Sequence, residues 1–188
     1  MKVGILGGTF DPIHIGHLIA ASEVHSELKL DTVVFLPAGQ PWQKQDREIS
    51  AAADRLAMVA AAVHDDDRFT VSDMEVVRSG PTYAIDSVKQ WLLENPTDQI
   101  YWVVGSDALV GITTWHKWEE FTSLVTVVSV NRSGHTEQVP FDHISIAMPE
   151  VRISATDLRE RFATGTDTRY LTPEAVRQVV LELGLYKS

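Results

Sequence analysis

Short apolar runs alternate along this chain with longer segments in which apolar residues recur at helical spacing. Runs rich in β-branched residues predict buried strands, and the longer segments predict helices. A parallel sheet covered by helices on both faces has this pattern, so we predict a doubly wound α/β fold. The predicted strands are Val3–Leu6, Thr32–Leu36, Phe69–Val77, Ile100–Val104, Val125–Val130 and Ile144–Met148, and the predicted helices are His14–Leu28, Ser50–Val63, Thr82–Glu94, Thr114–Phe121, Thr156–Ala163 and Pro173–Leu183.

The length of 188 residues predicts a single domain over residues 1–188, with a C-terminal helical annex from about residue 154. In the last helix, Thr172 is predicted to cap the N-terminus, Pro173 to take the first helical position and Gly184 to end the helix. Two long polar loops, Ala38–Ile49 and Ser133–His143, follow predicted strands. Loops of this length in a compact domain are often functional.

Composition excludes several classes of function. The chain has 44% hydrophobic and 22% charged residues and no cysteine, which rules out disulfides, thiolate catalysis and Cys-ligated zinc. A net charge of −10 argues against a nucleic-acid-binding face, because such a face neutralises many phosphates with Lys and Arg. The sequence has neither a secretory signal nor an apolar run of ~20 residues, so we expect a cytoplasmic protein without membrane contact.

The stretch GGTFDPIHIGH, residues 7–17, directly follows the first predicted strand. Its glycines allow a ligand to approach the backbone, Asp11-Pro12 predicts a turn, and the next helix directs its N-terminal amides at the loop. His14 and His17 lie three residues apart on one face of that helix. This arrangement predicts a triphosphate site that includes Gly7, Gly8, Thr9 and Phe10. Two surface histidines or a zinc site are the alternatives, but no third zinc ligand is evident.

A second stretch, ISATDLRERF at residues 153–162, again places a capping residue between a strand and a helix. Ser154 and Thr156 are suited to capping or to phosphate binding. Arg159 offers a planar fork for the β- and γ-phosphates. The alternative is an ordinary capped helix.

The segment His14-Ile15-Gly16-His17 resembles the HxGH signature of the nucleotidyltransferase superfamily, which class I aminoacyl-tRNA synthetases share. The synthetases are much larger and carry a KMSKS-type lysine loop and tRNA-binding domains, so they do not fit this chain. ISATDLRERF resembles the ISSTxIR motif of adenylyltransferases, with Ala155 in place of the second Ser. The resemblance implies a Rossmann-like fold.

Two further stretches resemble bacterial nicotinate-nucleotide adenylyltransferases. GPTYAIDSV, residues 80–88, is similar to their GPSYTIDTL segment, which implies that the helix N-terminus at Thr82 and Tyr83 receives a nicotinate carboxylate. VVGSDALVGITTWHKWEEF, residues 103–121, is similar to their GxDxL and TWxxWEE motifs. Gly105 and Asp107 are then expected at the nucleotide, and Trp115 is expected to stack on the pyridine ring. The alternative for Trp115 is burial in the core.

LPAGQPWQK, residues 36–44, resembles the P-x-x-x-P-x-H-K loop of the same family. Lys44 stands at the position of the phosphate-binding lysine, whereas Gln43 replaces the usual His. Arg132, at the end of the fifth predicted strand, is a further expected nucleotide contact.

The resemblance implies a reaction of ATP with nicotinate mononucleotide that gives nicotinate adenine dinucleotide and pyrophosphate, in NAD biosynthesis. The expected catalytic residues are His14, His17, Lys44 and Arg159, with Mg²⁺ carried on the ATP phosphates and no dedicated protein metal ligand. Phosphopantetheine adenylyl transfer and non-catalytic nucleotide sensing remain alternatives. The sequence leaves open the choice between nicotinate and nicotinamide, and whether the protein is a homo-oligomer.

Overall fold

The fold is that of a computed structural model, which describes residues 1–41, 49–131 and 138–187. Strands and helices alternate along most of it, and two helices follow the last strand. In chain order the elements are β1 (Lys2–Gly8), α1 (Ile15–Leu28), β2 (Thr32–Pro37), α2 (Ala52–Val63), β3 (Phe69–Val71), α3 (Ala84–Glu94), β4 (Gln99–Gly105), α4 (Ser106–Gly111), α5 (Trp118–Leu124), β5 (Thr126–Asn131), β6 (His143–Ala147), α6 (Ala155–Thr164) and α7 (Glu174–Glu182).

The six strands form one parallel sheet in the order β3-β2-β1-β4-β5-β6. The chain builds outward from β1 to β3 and then returns to build the other half from β4, so the strand order reverses between β1 and β4. This topology confirms the predicted doubly wound, Rossmann-like fold. In such sheets the ligand lies beyond the carboxyl ends of the strands at the point of reversal.

The helices cover both faces of the sheet, and each face has its own hydrophobic core. On one face Val24 of α1, Met58 of α2 and Val176 of α7 are buried together. On the other face Ile85 of α3 and Phe121 of α5 are buried against the sheet. Within the described ranges no helix is both long and apolar enough to cross a membrane.

The third strand is shorter than predicted, which corrects the prediction of Phe69–Val77. It ends at Val71, and the amides of Val76 and Val77 both donate to the carbonyl of Asp73 at 2.8 and 3.0 Å. This local turn removes the following residues from the sheet, and Val77 is exposed. The β-branched composition of the stretch was a misleading signal, because the turn uses backbone groups that composition does not report.

Two helix predictions also need correction. The predicted helix over Thr114–Phe121 is interrupted, since a 3-10 turn occupies Ile112–Thr114 and Lys117 adopts a left-handed conformation (φ 52°) directly before α5. At the last helix, Pro173 takes the N-cap position that was predicted for Thr172. The Thr172 hydroxyl donates instead to the carbonyl of Ile13 at 2.8 Å, a contact that ties this segment to the loop after β1.

Candidate active site

The loop after β1 turns sharply at Phe10, which has a left-handed backbone (φ 50°) and a buried ring. A Cβ atom at Gly8 would lie 2.9 Å from that ring, so only glycine fits there without displacing Phe10. Thr9 is also buried. Because the Phe10 ring belongs to the core, any contact of this residue with a nucleotide must come from its backbone.

His14 and His17 lie together at the start of α1. His14 is the N-cap residue, and its backbone N–H donates to Nδ1 of His17 at 3.1 Å. The two imidazole rings stack with their centroids 3.8 Å apart, and Phe10 packs edge-on against His17 at 5.0 Å. Since Nδ1 of His17 accepts this hydrogen bond, the neutral ring carries its proton on Nε2, as a donor for an anion.

Helix α6 brings Arg159 to the same loop. Its Nη1 donates to the carbonyl of Asp11 at 2.7 Å, and its Nη2 donates to the hydroxyl of Thr156 at 3.1 Å. Ser154 caps the helix, because its Oγ accepts from the backbone N–H of Asp157 at 3.1 Å. The structure thus brings the two sequence motifs together, although they are far apart in the chain.

Gly105 and Asp107 lie at the neighbouring strand end. Leu6 of β1 pairs with Val103 of β4, so Gly8 and Gly105 reach the same edge of the sheet. Gly105 is the N-cap of α4 and Asp107 lies exposed in its first turn. Apart from Gly105 and its two chain neighbours, no described residue lies within 4 Å of the position that a Cβ would take at Gly105, which leaves space for a ligand.

Thr82 and Tyr83 precede α3, and Tyr83 is its N-cap. The Tyr83 ring lies against His116 with centroids 4.7 Å apart. Trp115 is half-buried and its ring contacts Phe121 at 5.5 Å, so part of this side chain belongs to the core. His116 was missed by the sequence analysis, although its place between the two Trp residues of TWHKWEE was a signal.

The predicted phosphate ligand Lys44 and the predicted nucleotide contact Arg132 lie outside the residues that the structure describes, as does Gln43. Their roles stay predictions. No group of three or more His, Asp or Glu side chains that would hold a metal ion occurs within residues 1–41, 49–131 and 138–187.

Arg55 is a central residue that the sequence analysis missed. Its side chain is only 1% exposed, and it donates to backbone carbonyls of Thr9 at 2.7 Å, Ala38 at 2.7 Å, Gly39 at 3.1 Å and Ser50 at 3.0 Å. It therefore fixes the loops that follow β1 and β2. A signal was present, because Arg55 falls on the buried face of α2, three and four residues before buried apolar positions.

Two further groups near Arg55, the Asp11 carboxylate and the Tyr186 hydroxyl, affect its electrostatics. Burial lowers the pKa of the Arg55 guanidinium, and the nearby Asp11 carboxylate opposes this shift. Asp11 is itself buried and accepts a hydrogen bond from the Tyr186 hydroxyl at 2.7 Å. Burial, and then the bond to Asp11, raise the pKa of Tyr186. We name Leu171, Thr172 and Tyr186 the C-terminal brace, because Leu171 also accepts from the Ile15 amide at 3.0 Å.

Glu75 is a buried acid beneath the loop after β2. It is 4% exposed, and its Oε1 accepts from the Ser87 hydroxyl at 2.5 Å. Ser87 in turn accepts from Nη2 of Arg78 at 2.9 Å. Burial raises the pKa of Glu75 to about 7, while the Ser87 hydrogen bond and the charges of Arg78 and Arg55 act in the opposite direction.

We expect Glu75 to make the fold less stable as the pH rises. The unfolded chain releases this proton near pH 4.5, whereas the folded protein keeps it to about pH 7. The folded state therefore binds more protons in this window, and the free energy of unfolding falls across it, by about 3 kcal/mol at most. Urea unfolding at about pH 5 and about pH 8 should show this fall for the wild type and not for Glu75→Gln. The matched control is Glu119→Gln at an exposed site, and parallel pH dependences of wild type and Glu75→Gln would contradict the expectation.

Comparison with known proteins places the chain in a family. Residues 5–161 match the family described as Cytidylyltransferase-like. A Streptomyces coelicolor protein named "Probable nicotinate-nucleotide adenylyltransferase" is 43% identical, with 97% of this chain and 99% of that protein covered. A Mycolicibacterium vanbaalenii protein of the same name is 41% identical, with 100% of this chain and 92% of that protein covered.

Solved structures agree on the fold. The nicotinic acid mononucleotide adenylyltransferase of Plasmodium falciparum, solved in complex with NaAD, superposes with a TM-score of 0.80 at 17% identity. The superposition covers 98% of this chain and 97% of that one. The full-length sequence matches and the HxGH stretch at the start of α1 lead to one conclusion: this chain belongs to the nicotinate-nucleotide adenylyltransferases, within the cytidylyltransferase-like family.

Proposed function

We propose that this protein transfers the adenylyl group of ATP to nicotinate mononucleotide, forming nicotinate adenine dinucleotide and releasing pyrophosphate, in NAD biosynthesis. Family membership supports the reaction. The observation that carries the site is the stacked pair His14 and His17 at the N-terminus of α1, directly beyond the strand at which the sheet order reverses. Helix N-termini and cationic side chains together form an anion site.

The reaction requires alignment of the two substrates and stabilisation of the developing negative charge. A phosphate oxygen of the mononucleotide forms a bond to the α-phosphorus of ATP, and the bond from that phosphorus to the α,β-bridging oxygen breaks. Because the nucleophile is already an anion, no base has to remove a proton. Negative charge grows on the bridging and β-phosphate oxygens, which is where preorganised donors act.

The residues then take these roles. His17, with its proton on Nε2, donates to a phosphate oxygen, and His14 lies beside it. Arg159 is held next to the loop by the Asp11 carbonyl and supplies a cation to the β- and γ-phosphates. Lys44 is assigned a further phosphate contact on the resemblance alone, and Arg132 a further nucleotide contact on its place at the end of the fifth predicted strand. Gly105 and Asp107 are assigned to the ribose at the end of β4.

Mg²⁺ fits the same proposal as a substrate-borne ion. The buried Asp11 carboxylate is engaged by Tyr186, which makes it a poor ligand, and Mg²⁺ keeps several water and phosphate oxygens as ligands. The ion neutralises charge on the phosphates when bound.

We place the acceptor at the start of α3. Thr82, Tyr83 and the helix amides face its carboxylate there, and Trp115 faces its pyridine ring.

The proposal is tested by pyrophosphate release with ATP and Mg²⁺ and three parallel acceptors: nicotinate mononucleotide, nicotinamide mononucleotide and phosphopantetheine. We expect the nicotinate form to turn over at least ~5-fold faster than the amide, because a helix N-terminus favours a carboxylate by about 1 kcal/mol or more. No turnover is expected with phosphopantetheine. ATP binding without pyrophosphate release in the presence of any of the three acceptors would overturn the proposal and indicate a nucleotide sensor.

A further inference from the structure

Two chain segments form one side of the proposed acceptor site. We name them the acceptor rim: Gly39–Gln40 after β2 and Thr82–Tyr83 before α3. They are joined by two hydrogen bonds, from the Gln40 amide to the Thr82 hydroxyl at 3.0 Å and from the Thr82 amide to the Gln40 carbonyl at 3.3 Å. The rim therefore depends on the relative position of a loop and a helix start.

The backbone of Glu75 supports the first of these segments. A Cβ atom at Gly39 would lie 2.0 Å from the carbonyl oxygen of Glu75, a distance that no side chain tolerates. Gly39 thus lies directly on the Glu75 peptide. From the other side, Arg55 donates to the Gly39 carbonyl, so the loop is held between these two groups.

The side chain of Glu75 reaches the second segment from below. The Ser87 hydroxyl donates to its carboxyl, and Ser87 lies one turn into α3 after Tyr83, with its Oγ 3.5 Å from the Tyr83 carbonyl. Arg78 donates to the same hydroxyl. A buried carboxyl lowers stability relative to a well-packed apolar group, so its presence under the rim calls for a reason other than stability.

We infer that Glu75 is a positioning residue for the acceptor nucleotide, because it holds the loop after β2 and the N-terminus of α3 at the separation that the acceptor requires. Ser87 and Arg78 complete the connection. The inference rests on the function proposed above. It predicts a larger effect on acceptor binding than on ATP binding, since the proposed ATP contacts among the described residues lie at the ends of β1 and β4 and on α6.

The experiment compares four variants in the pyrophosphate-release assay, each with one substrate varied and the other saturating. Glu75→Ala and Ser87→Ala are expected to raise KM for nicotinate mononucleotide about 10-fold or more and to change KM for ATP by less than about 2-fold. Ser87→Thr keeps the hydroxyl and is expected to retain most of the wild-type KM, because the GPSYTIDTL segment carries Thr at the matching position. Ser123→Ala is the control, since Ser123 is exposed and its hydroxyl donates to the Glu120 carbonyl of its own helix.

Each outcome of this experiment either supports or overturns the inference. Equal increases of both KM values, or a Ser87→Ala enzyme with the wild-type KM for the acceptor, overturn the inference. If Glu75→Ala does not fold, as thermal melting will show, the Ser87 variants decide alone. An inactive wild type overturns the proposed function and this inference with it, whereas an active wild type with an unchanged acceptor KM in Ser87→Ala overturns this inference alone.

Discussion

Replacing His17 with asparagine is expected to lower kcat about 10²–10³-fold, the cost of losing a preorganised donor to a developing oxyanion. Asparagine keeps an acceptor close to the position of Nδ1, so the hydrogen bond from the His14 amide and the start of α1 are retained. The imidazole Nε2 donor is lost. Initial rates of pyrophosphate release at saturating ATP and nicotinate mononucleotide measure the effect.

The control is His64→Asn, because His64 is 80% exposed and lies at the C-terminal end of α2, away from the loop after β1. We expect it to behave as the wild type. Thermal melting of both variants shows whether the fold is intact. A folded His17→Asn enzyme with a kcat within about 3-fold of the wild type would remove His17 from the phosphate site.

Replacing Arg55 with methionine is expected to lower the free energy of unfolding by about 3–5 kcal/mol, because buried carbonyls lose their donors. The four carbonyls belong to the loops after β1 and β2 and to Ser50, two residues before α2. For a chain of this size the melting temperature should fall by roughly 6–20 °C. We also expect KM to rise for both substrates, since Arg55 holds the loop of each. Urea unfolding and steady-state kinetics give the two values.

Arg68→Met serves as the matched control. Arg68 is partly exposed and pairs with Asp66, and such pairs contribute about 1 kcal/mol or less. Similar losses of stability in Arg55→Met and Arg68→Met would show that the buried hydrogen bonds of Arg55 contribute little, and that the loops hold their shape by other contacts.

The fold was predictable from local pattern because parallel strands are buried on both faces and appear as short apolar runs. The error at β3 has a local cause that the pattern does not contain: the Asp73 carbonyl accepts two amides and turns the chain. The interruption at Lys117 is similar, since a left-handed residue other than glycine has little signature in sequence.

Some features of the candidate site could be predicted from the sequence, and others could not. The spacing of His14 and His17 predicted one shared helix face, and the rings do lie stacked, although their contact with phosphate stays a prediction. Arg55 escaped prediction because its partners are carbonyls of other loops, and a carbonyl is present at every residue. The bond between Tyr186 and Asp11 spans 175 residues, a separation at which no local pattern carries information.

The C-terminal brace determines when the loop after β1 can take its final shape. Asp11 and Ile13 leave the ribosome early, yet the groups that hold them, on Arg159, Thr172 and Tyr186, are synthesised 148 to 175 residues later. A nascent chain can pair β1 with β2 long before these contacts exist. Contacts of such long range form late because closing a long loop costs entropy. With the loop after β1 as the proposed phosphate site, ATP binding is expected only from a molecule whose synthesis and folding have both passed α7.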